Sequence, residues 1–319
     1  MSTTAAGPVL ALSGGVGGAK LCLGLSDCLP AERLHIACNT GDDFQHLGLT
    51  ICPDIDTVLY TLSGRNDTTR GWGLAGETWE VLQALQTLEA DTWFRLGDRD
   101  LATHLWRAGE LARGGTLSAV TAELARRLGV RAQVYPMSDD PVPTLVQTDA
   151  GELAFQEYFV REQCRPRVSG FRFRDIDTAR LQPSLAALCS ASDLAGVIIC
   201  PSNPFVSIDP ILQLDNFWQT LRQCNTRVVA VAPIVAGQAL KGPAAKMMAE
   251  LGMPVTAGGV AEHYARHYPG LVTTFVIDHS DATLAAEIAA LGMEVQVRST
   301  VMQERASKQA LAKTCLELL

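Results

Sequence analysis

The sequence has no long hydrophobic run and no cluster of basic residues, and each absence excludes a class of function. None of its apolar stretches is long enough to span a bilayer, so we do not expect a membrane protein. Its 26 basic residues are outnumbered by 34 acidic ones, which gives a formal net charge of −8, and no run of Lys or Arg forms a stripe. Nucleic acids and anionic membrane surfaces are therefore not expected partners.

The nine cysteines form neither a C-x-x-C pair nor a regular spacing. An odd number of thiols without such a framework fits a reducing compartment better than a disulfide-stapled secreted domain. Residues 1–7 are small and polar and carry no basic segment, which argues against a signal peptide. We therefore expect a cytoplasmic protein.

Strand-like apolar runs alternate with helical patterns along most of the 319 residues. The runs at 34–38, 196–200 and 227–232 are almost continuously apolar, as strands of a parallel sheet covered on both faces are. This alternation predicts an α/β, Rossmann-like fold with a mostly parallel, doubly wound sheet. We expect one domain over 1–319, with a cap or an inserted helical and hairpin region at about 70–180. The hairpin strands are predicted at 144–148 and 152–160, and a further strand is predicted at 294–297.

A glycine-rich turn follows the first predicted strand, in the sequence Ser13-Gly14-Gly15-Val16-Gly17-Gly18-Ala19-Lys20. Glycines there allow a positive φ and let backbone amides approach a ligand with no Cβ in the way. The helix that follows presents unpaired N–H groups and the positive end of its dipole, so the pattern is typical of a phosphate-binding turn.

The same turn lacks the marks of two better-known phosphate sites. The Gly-Lys-Ser/Thr of a Walker loop is missing, because Ala19 precedes Lys20 and Leu21 follows it. A dinucleotide fingerprint would need a third glycine where Lys20 stands. A tight strand-to-helix turn without a ligand is the alternative, but four glycines and a lysine exceed what such a turn requires.

Carboxylates follow the second predicted strand, in Asn39-Thr40-Gly41-Asp42-Asp43, and another, Asp56, lies in the first turn of a helix that begins near Pro53. Mg²⁺ takes hard oxygen ligands, usually one or two protein carboxylates with substrate phosphates and waters. Taken singly, each acid is better explained by structure, Asp42 as a turn residue and Asp56 as an acid at a helix N-terminus. The three aspartates together favour a metal site.

Other polar groups have structural interpretations of comparable weight. Asp98-Arg99-Asp100 follows the strand-like run 93–96 and could hold a phosphate or polar ring, or form a surface ion-pair cluster. Ser202 and Asn203 lie between two prolines and could bind a base or ribose, or simply end a strand. Asp139 and Asp140 could add to the acidic site or make a turn. His263 and His267 lack a third ligand, so a zinc site is not expected.

Taken together, these motifs resemble the 2-phospho-L-lactate transferase family of deazaflavin coenzyme biosynthesis. The stretches that carry the resemblance are Ser13–Lys20, Asn39–Asp43, Pro53–Tyr60, Leu96–Asp100, Met137–Val142 and Pro201–Pro204. The resemblance implies an Mg²⁺-dependent transfer from a guanosine-diphospho-linked three-carbon acid to the ribityl side chain of 7,8-didemethyl-8-hydroxy-5-deazariboflavin (Fo), with GMP leaving. It also implies a homodimer as a family-level expectation.

The resemblance assigns roles to individual positions. Asp43 and Asp56 would hold the metal, and Asp56 and Arg99 would contact Fo. The donor would be held by the glycine turn, the second strand end and the 202–203 loop, that is by Ser13, Gly14, Gly15, Gly17, Gly18, Lys20, Asn39, Thr40, Ser202 and Asn203. An Asp56→Asn change is then expected to remove turnover and leave the fold intact.

Two other functions stay open at this point. A non-catalytic nucleotide-sugar sensor resembling the gluconeogenesis-factor family would share the fold, although the segment Leu96–Asp100 and the Asp54-Ile55-Asp56-Thr57 run speak against it. A nicotinamide-dependent dehydrogenase is disfavoured by the missing third glycine and by the doubled acid at Asp42 and Asp43. The sequence does not distinguish a lactyl, enolpyruvyl or glyceryl group on the donor.

Overall fold

The computed structural model describes residues 7–191, 193–239 and 242–319. Residues 1–6, part of the N-terminal segment whose composition argues against a signal peptide, lie outside the described part. Across those three ranges, no helix combines the length and apolar character needed to cross a membrane.

The described residues form fourteen strands and twelve α-helices. The strands are β1 (Val9–Ser13), β2 (Leu34–Cys38), β3 (Phe44–His46), β4 (Leu49–Ile51), β5 (Gln133–Pro136), β6 (Thr144–Thr148), β7 (Gly151–Ala154), β8 (Val168–Phe173), β9 (Gly196–Ile199), β10 (Val228–Val231), β11 (Ile234–Val235), β12 (Gln238–Ala239), β13 (Thr274–Ile277) and β14 (Glu294–Val297). The helices are α1 (Gly15–Cys28), α2 (Pro53–Leu62), α3 (Glu80–Thr87), α4 (Asp98–Ala112), α5 (Leu117–Leu128), α6 (Pro183–Ser190), α7 (Asp209–Gln213), α8 (Phe217–Gln223), α9 (Ala244–Glu250), α10 (Ala257–His267), α11 (Ala285–Ala289) and α12 (Arg305–Glu317).

Seven parallel strands make the central sheet, in the order β14-β13-β10-β9-β1-β2-β5. The chain starts at β1, extends to β2 and β5 on one side, and then crosses to β9 and its neighbours on the other. The strand order therefore reverses between β1 and β9. In open sheets of this kind, ligands bind outside the carboxyl ends of the strands at this reversal. The predicted α/β, doubly wound sheet is confirmed.

Alternate residues of β1 face two separate hydrophobic cores. Leu10 and Leu12 belong to the core that includes α6 to α10, whereas Val9 and Ala11 belong to the core with α1, α2, α5 and α12. All four side chains are fully or almost fully buried. Burial on both faces explains why the central strands are almost continuously apolar. The same burial holds the central strands rigidly, and the polar loops extend from their carboxyl ends.

The span 70–180, predicted to be a cap or insertion, contains two kinds of structure. Helix α5 packs in the main core and β5 forms the edge of the central sheet. Strands β6, β7 and β8 form a separate antiparallel sheet, in the order β7-β6-β8. The division of the chain into one domain with an insertion stays a prediction.

Two local predictions differ from the structure. The second strand of the predicted hairpin was expected over 152–160, but β7 ends at Ala154 and a π-helical turn covers Glu157–Arg161, where Tyr158 is buried. The run 93–96 forms no strand, and Asp98–Asp100 form the first turn of α4 instead of a loop. Acids in the first turn interact favourably with the helix dipole, so Asp98 and Asp100 were a sequence signal for a helix start here. The prediction of a strand over 93–96 hid that signal.

Candidate active site at the carboxyl edge of the sheet

A cleft of about 840 Å³ lies at the carboxyl ends of the central strands. The loops that follow β1, β2, β9, β10 and β14 all contribute to its lining. Of the residues predicted to bind substrate or metal, the cleft is lined by Gly14, Gly15, Gly17, Lys20, Asp56, Ser202 and Asn203. The structure therefore brings the glycine turn, the 202–203 loop and Asp56 to one cavity.

The glycine turn is packed against the 202–203 loop so closely that side chains are excluded. The Gly14 N–H donates to Ser202 Oγ at 3.1 Å, and the Ser202 hydroxyl donates back to the Gly14 carbonyl at 2.7 Å. A Cβ on Gly17 would lie 2.3 Å from the carbonyl oxygen of Pro201. Gly15 has a φ of +65°, which favours glycine. Gly17 is therefore needed for the close approach of the two loops, and Gly15 for the positive φ at the turn.

Asp54 connects the glycine turn to the end of β2, a role that the sequence analysis missed. Its Oδ1 accepts a hydrogen bond from the Gly15 N–H at 2.6 Å, and its Oδ2 accepts one from Asn39 Nδ2 at 2.9 Å. Asn39 also donates to the Val206 carbonyl at 3.1 Å, in the turn after the 202–203 loop. Pro53 is the first residue of α2 and Asp54 follows it directly. This position in the first helical turn was the signal in the sequence that could have identified Asp54.

The carboxyl groups of Asp42 and Asp54, which are buried, and of Asp43, which is half-buried, lie close enough to affect one another, and unpaired oxygens remain among them. Burial raises the pKa of Asp42 and Asp43 well above the usual range, with Asp54 contributing further repulsion. Burial likewise raises the pKa of Asp54 to about 6, although hydrogen bonds from Asn39 and Gly15 oppose the shift. The Oδ1 atoms of Asp42 and Asp43 are buried without a hydrogen-bond partner. Such a group is stabilised by a cation.

These donors fit Mg²⁺ in chemical type, since all are hard carboxylate oxygens. Within the three described ranges, no group of three or more His, Cys, Asp or Glu side chains is arranged to hold an ion unaided. An ion here would take one or two carboxylates and complete its shell with phosphate oxygens and water, which is how Mg²⁺ is usually bound.

Asp56 differs from the sequence-based expectation because it has a buried partner. Arg107, which is fully buried, donates from Nη1 to Asp56 Oδ2 at 3.1 Å, and its Nη2 donates to Asp56 Oδ1. Burial alone would lower the pKa of Arg107, but the Asp56 carboxylate raises it above its ordinary value. Asp56 is therefore the counter-ion of a core arginine as well as a residue that lines the cleft.

Helix α4 presents Asp100 and His104 to the cleft, next to Asp56 and Tyr60 of α2. The Tyr60 hydroxyl donates to Asp100 Oδ1 at 2.7 Å, and His104 Nε2 lies 3.3 Å from the same oxygen. Burial opposes ionisation of Asp100, but the contacts with His104 and Tyr60 lower its pKa below the usual value. No individual role was predicted for Tyr60 or His104, and Asp100 was predicted only as a member of the cluster Asp98-Arg99-Asp100.

Arg99 points away from this cluster. Its side chain is exposed, it is not among the groups that line the cleft, and its Nη1 donates to the Ala75 carbonyl at 3.0 Å. Its predicted contact with Fo stays a prediction. Five other predicted residues do not themselves line the cleft, namely Ser13, Gly18, Asn39, Thr40 and Asp43. Asp139 and Asp140 do not line the cleft, and they accept hydrogen bonds from the backbone N–H groups of Ser118 and Arg180 in other segments.

Aromatic side chains form one wall of the cleft, beside Asp100 and His104. Trp72, Trp93 and Phe94 line it together with Arg70 and Arg95. Trp93 and Phe94 contact each other edge to face, with ring centroids 5.7 Å apart. A second pair on the cleft lining, Phe155 and Phe159, is stacked with centroids 5.6 Å apart. Flat aromatic faces of this kind suit a planar heterocycle.

The raised pKa of Asp54 predicts a pH-dependent stability. In the unfolded chain this carboxyl titrates near about 3.9, and in the folded protein near about 6. Its contribution to the free energy of unfolding is therefore present below pH ~4 and is lost as the pH rises to ~6 and above. Relative to an Asp54→Asn variant, the wild-type protein should lose stability between pH 4 and 7, as measured by urea unfolding.

Magnesium should counteract that loss, because it neutralises the ionised carboxylates. We expect added Mg²⁺ to raise the melting temperature of the wild-type protein more at pH 7.5 than at pH 5. The Asp54→Asn variant serves as the control and should show a smaller increase. A stability difference between the two proteins that does not change with pH would contradict this assignment.

Comparison with known proteins agrees with the geometry. A family model described as 2-phospho-L-lactate transferase CofD matches residues 9–315. A 2-phospho-L-lactate transferase of Methanosarcina mazei is 33% identical over 309 residues, covering 97% of this chain and 99% of the relative. A phosphoenolpyruvate transferase of Nocardia farcinica is 37% identical over 324 residues, covering 98% and 96% respectively.

Among solved structures, a UPF0052 family member from Bacillus halodurans has the same fold. It superposes with a TM-score of 0.65 at 17% sequence identity, covering 97% of this chain and 98% of that one. The predicted family resemblance is confirmed by the match over nearly the full length and by the identities to the two relatives. This chain belongs to the 2-phospho-L-lactate transferase CofD family and is a transferase.

Proposed function

We propose that this transferase moves a phospho-(three-carbon acid) group from a guanosine-diphospho-linked donor to the ribityl hydroxyl of Fo, releasing GMP. The observation that carries the proposal is that one cleft combines a glycine turn, buried acids of which Asp42 has an unpaired oxygen, and an aromatic wall. The first two suit a diphosphate with a divalent cation, and the third suits a flat ring such as a deazaflavin.

The donor would lie at the glycine turn and the 202–203 loop. Backbone amides at the start of α1 and the positive end of its dipole favour the diphosphate, and Lys20 lines the same part of the cleft. Phosphoryl transfer depends mainly on positioning and on neutralising charge. Mg²⁺, when bound, would supply that neutralisation. Asp42 and Asp54 line the cleft and are better placed to hold it than Asp56, whose negative charge is already neutralised by the buried Arg107 guanidinium.

The identity of the three-carbon acid needs a direct comparison of donors. One relative is named for 2-phospho-L-lactate and another for phosphoenolpyruvate, at similar identities to this chain. A phosphoglyceryl group is the third candidate. A cytoplasmic location and a homodimer remain part of the proposal.

The test is to incubate the wild-type protein with Fo, Mg²⁺ and each of the three guanosine-linked donors in separate reactions. We expect the Fo phosphodiester and GMP in equal amounts, detected by mass spectrometry, with at least one donor. Chelation of Mg²⁺ should stop both products. Controls without Fo should release no GMP. Nucleotide-sugar binding without product would instead support a regulator of the gluconeogenesis-factor type.

A further inference from the structure

The carboxylate of Asp100 is fixed in the cleft by contacts from two helices. Asp100 lies in the first turn of α4, lines the cleft, and has a side chain that is 13% exposed. Its backbone N–H donates to Glu77 Oε1 at 2.8 Å, and its Oδ1 accepts from the Tyr60 hydroxyl at 2.7 Å. Both the main chain and the side chain are therefore held in one orientation.

His104 also acts on Asp100, and the contacts on its ring define which nitrogen carries the proton. Nδ1 lies 3.1 Å from Nη1 of Arg107, and a guanidinium can only donate. Nδ1 must therefore accept, which places the proton of the neutral ring on Nε2, facing Asp100 Oδ1 at 3.3 Å. His104 is 1% exposed, so this arrangement is shielded from water.

Both side-chain contacts fall on one oxygen of Asp100. Across the described part of the chain, the side-chain hydrogen bond to this carboxylate comes from Tyr60 and reaches Oδ1, and His104 Nε2 lies 3.3 Å from the same oxygen. Oδ2 is the oxygen left for a ligand in the cleft. The aromatic wall of Trp93 and Phe94 lines the same cavity, as does the glycine turn. A hydroxyl group of an acceptor lying between those two walls would reach Asp100.

We propose that Asp100 accepts the proton of the acceptor hydroxyl during transfer. The inference rests on the proposed function and names a catalytic residue for it. As the hydroxyl oxygen forms its bond to the phosphorus that carries the three-carbon acid, the O–H bond breaks and the proton goes to Asp100 Oδ2. The P–O bond to GMP breaks, and its electron pair leaves with GMP. Asp100 then releases the proton to water in the open cleft.

A weakly basic carboxylate is sufficient for this step. Phosphoryl transfer passes through a loose transition state in which the nucleophile loses its proton late, and protein kinases use an aspartate in the same way. Tyr60 and His104 keep Asp100 ionised, so it is ready to accept a proton at neutral pH.

The test is an Asp100→Asn variant, which keeps the shape of the side chain and the acceptor for Tyr60 and His104. We expect kcat for phosphodiester formation to fall by about 10²–10⁴-fold, with little change in KM for Fo or for the donor. The matched control is Glu110→Gln on the same helix, where a half-buried glutamate that does not line the cleft pairs with Arg113. The control should have the wild-type kcat.

Two further measurements separate a catalytic from a structural role. A Tyr60→Phe change removes one contact to Asp100, so it should lower kcat by less than Asp100→Asn and cause no further loss in the double variant. An Fo analogue whose attacking hydroxyl is made more acidic by fluorine should reduce the defect of Asp100→Asn, because the base then matters less.

A kcat within a few fold of wild type for Asp100→Asn, or a defect confined to KM, would overturn the inference. So would a defect that is unchanged with the fluorinated acceptor. The wild-type protein measured in parallel separates this failure from that of the proposed function. If wild type forms no phosphodiester, the proposed function fails; if it does and Asp100→Asn matches it, only the role of Asp100 fails.

Discussion

An Asp56→Asn variant is expected to lose about 3–5 kcal/mol of unfolding free energy in addition to its turnover. The reason is that Arg107 is fully buried and Asp56 is its counter-ion, so the change leaves a buried positive charge without compensation. The sequence alone predicted an intact fold for this variant. The structure revises that expectation. Arg107 lies 51 residues from Asp56 along the chain, so no local sequence pattern indicates that the two are paired.

Urea unfolding followed by circular dichroism measures this effect. The matched control is Glu123→Gln, which removes a carboxylate paired with Arg126 and Arg127 at the surface, where ion pairs contribute little. A double variant, Asp56→Asn with Arg107→Met, should recover part of the stability of Asp56→Asn, since the uncompensated charge is then gone. Equal stability of Asp56→Asn and Glu123→Gln would contradict the buried ion pair.

A Gly17→Ala variant is expected to lose about 100-fold or more in affinity for GDP in the presence of Mg²⁺. A Cβ at this position would lie 2.3 Å from the Pro201 carbonyl oxygen, so the glycine turn and the 202–203 loop must move apart. Displacements of about 1 Å in a positioned site can cost 10²-fold. Isothermal titration calorimetry with GDP and Mg²⁺ measures the change.

Gly109→Ala is the control for that substitution. Gly109 lies inside α4, where an added Cβ would meet only Arg113 Nη1, at 3.9 Å. Alanine there should leave GDP binding unchanged and stabilise the helix by about 0.5–1 kcal/mol. If Gly17→Ala bound GDP as tightly as Gly109→Ala, the close approach of the two loops would not matter for the donor.

The parts of the fold that the sequence predicted are those encoded by local patterns. The strand at 34–38 and the strand at 294–297 have the predicted bounds, since short apolar or alternating runs specify their own extent. The glycine turn could be recognised because close approach of another backbone segment requires glycine there, and a run of glycines is visible in the local sequence. Parallel pairing of β1 with β2 and β9 then brings the loops after these strands into one cleft.

The parts that could not be predicted depend on contacts between distant segments. Arg99 and Asp100 are adjacent in sequence, yet only Asp100 lines the cleft, because the segment is the first turn of a helix and successive residues point in different directions. Asp54 acquires its role from Asn39 and Gly15, which approach it only in the folded chain. Pairings of this kind follow from tertiary packing and leave no periodic signal.

The most direct test of the account is a crystal structure with GDP and Mn²⁺ in place of Mg²⁺, because anomalous scattering locates the ion. The account predicts the diphosphate against the amides of Val16 to Gly18, with the manganese peak between it and the carboxylates of Asp42 and Asp54. A manganese peak away from these aspartates, or a diphosphate bound outside the glycine turn, would contradict it.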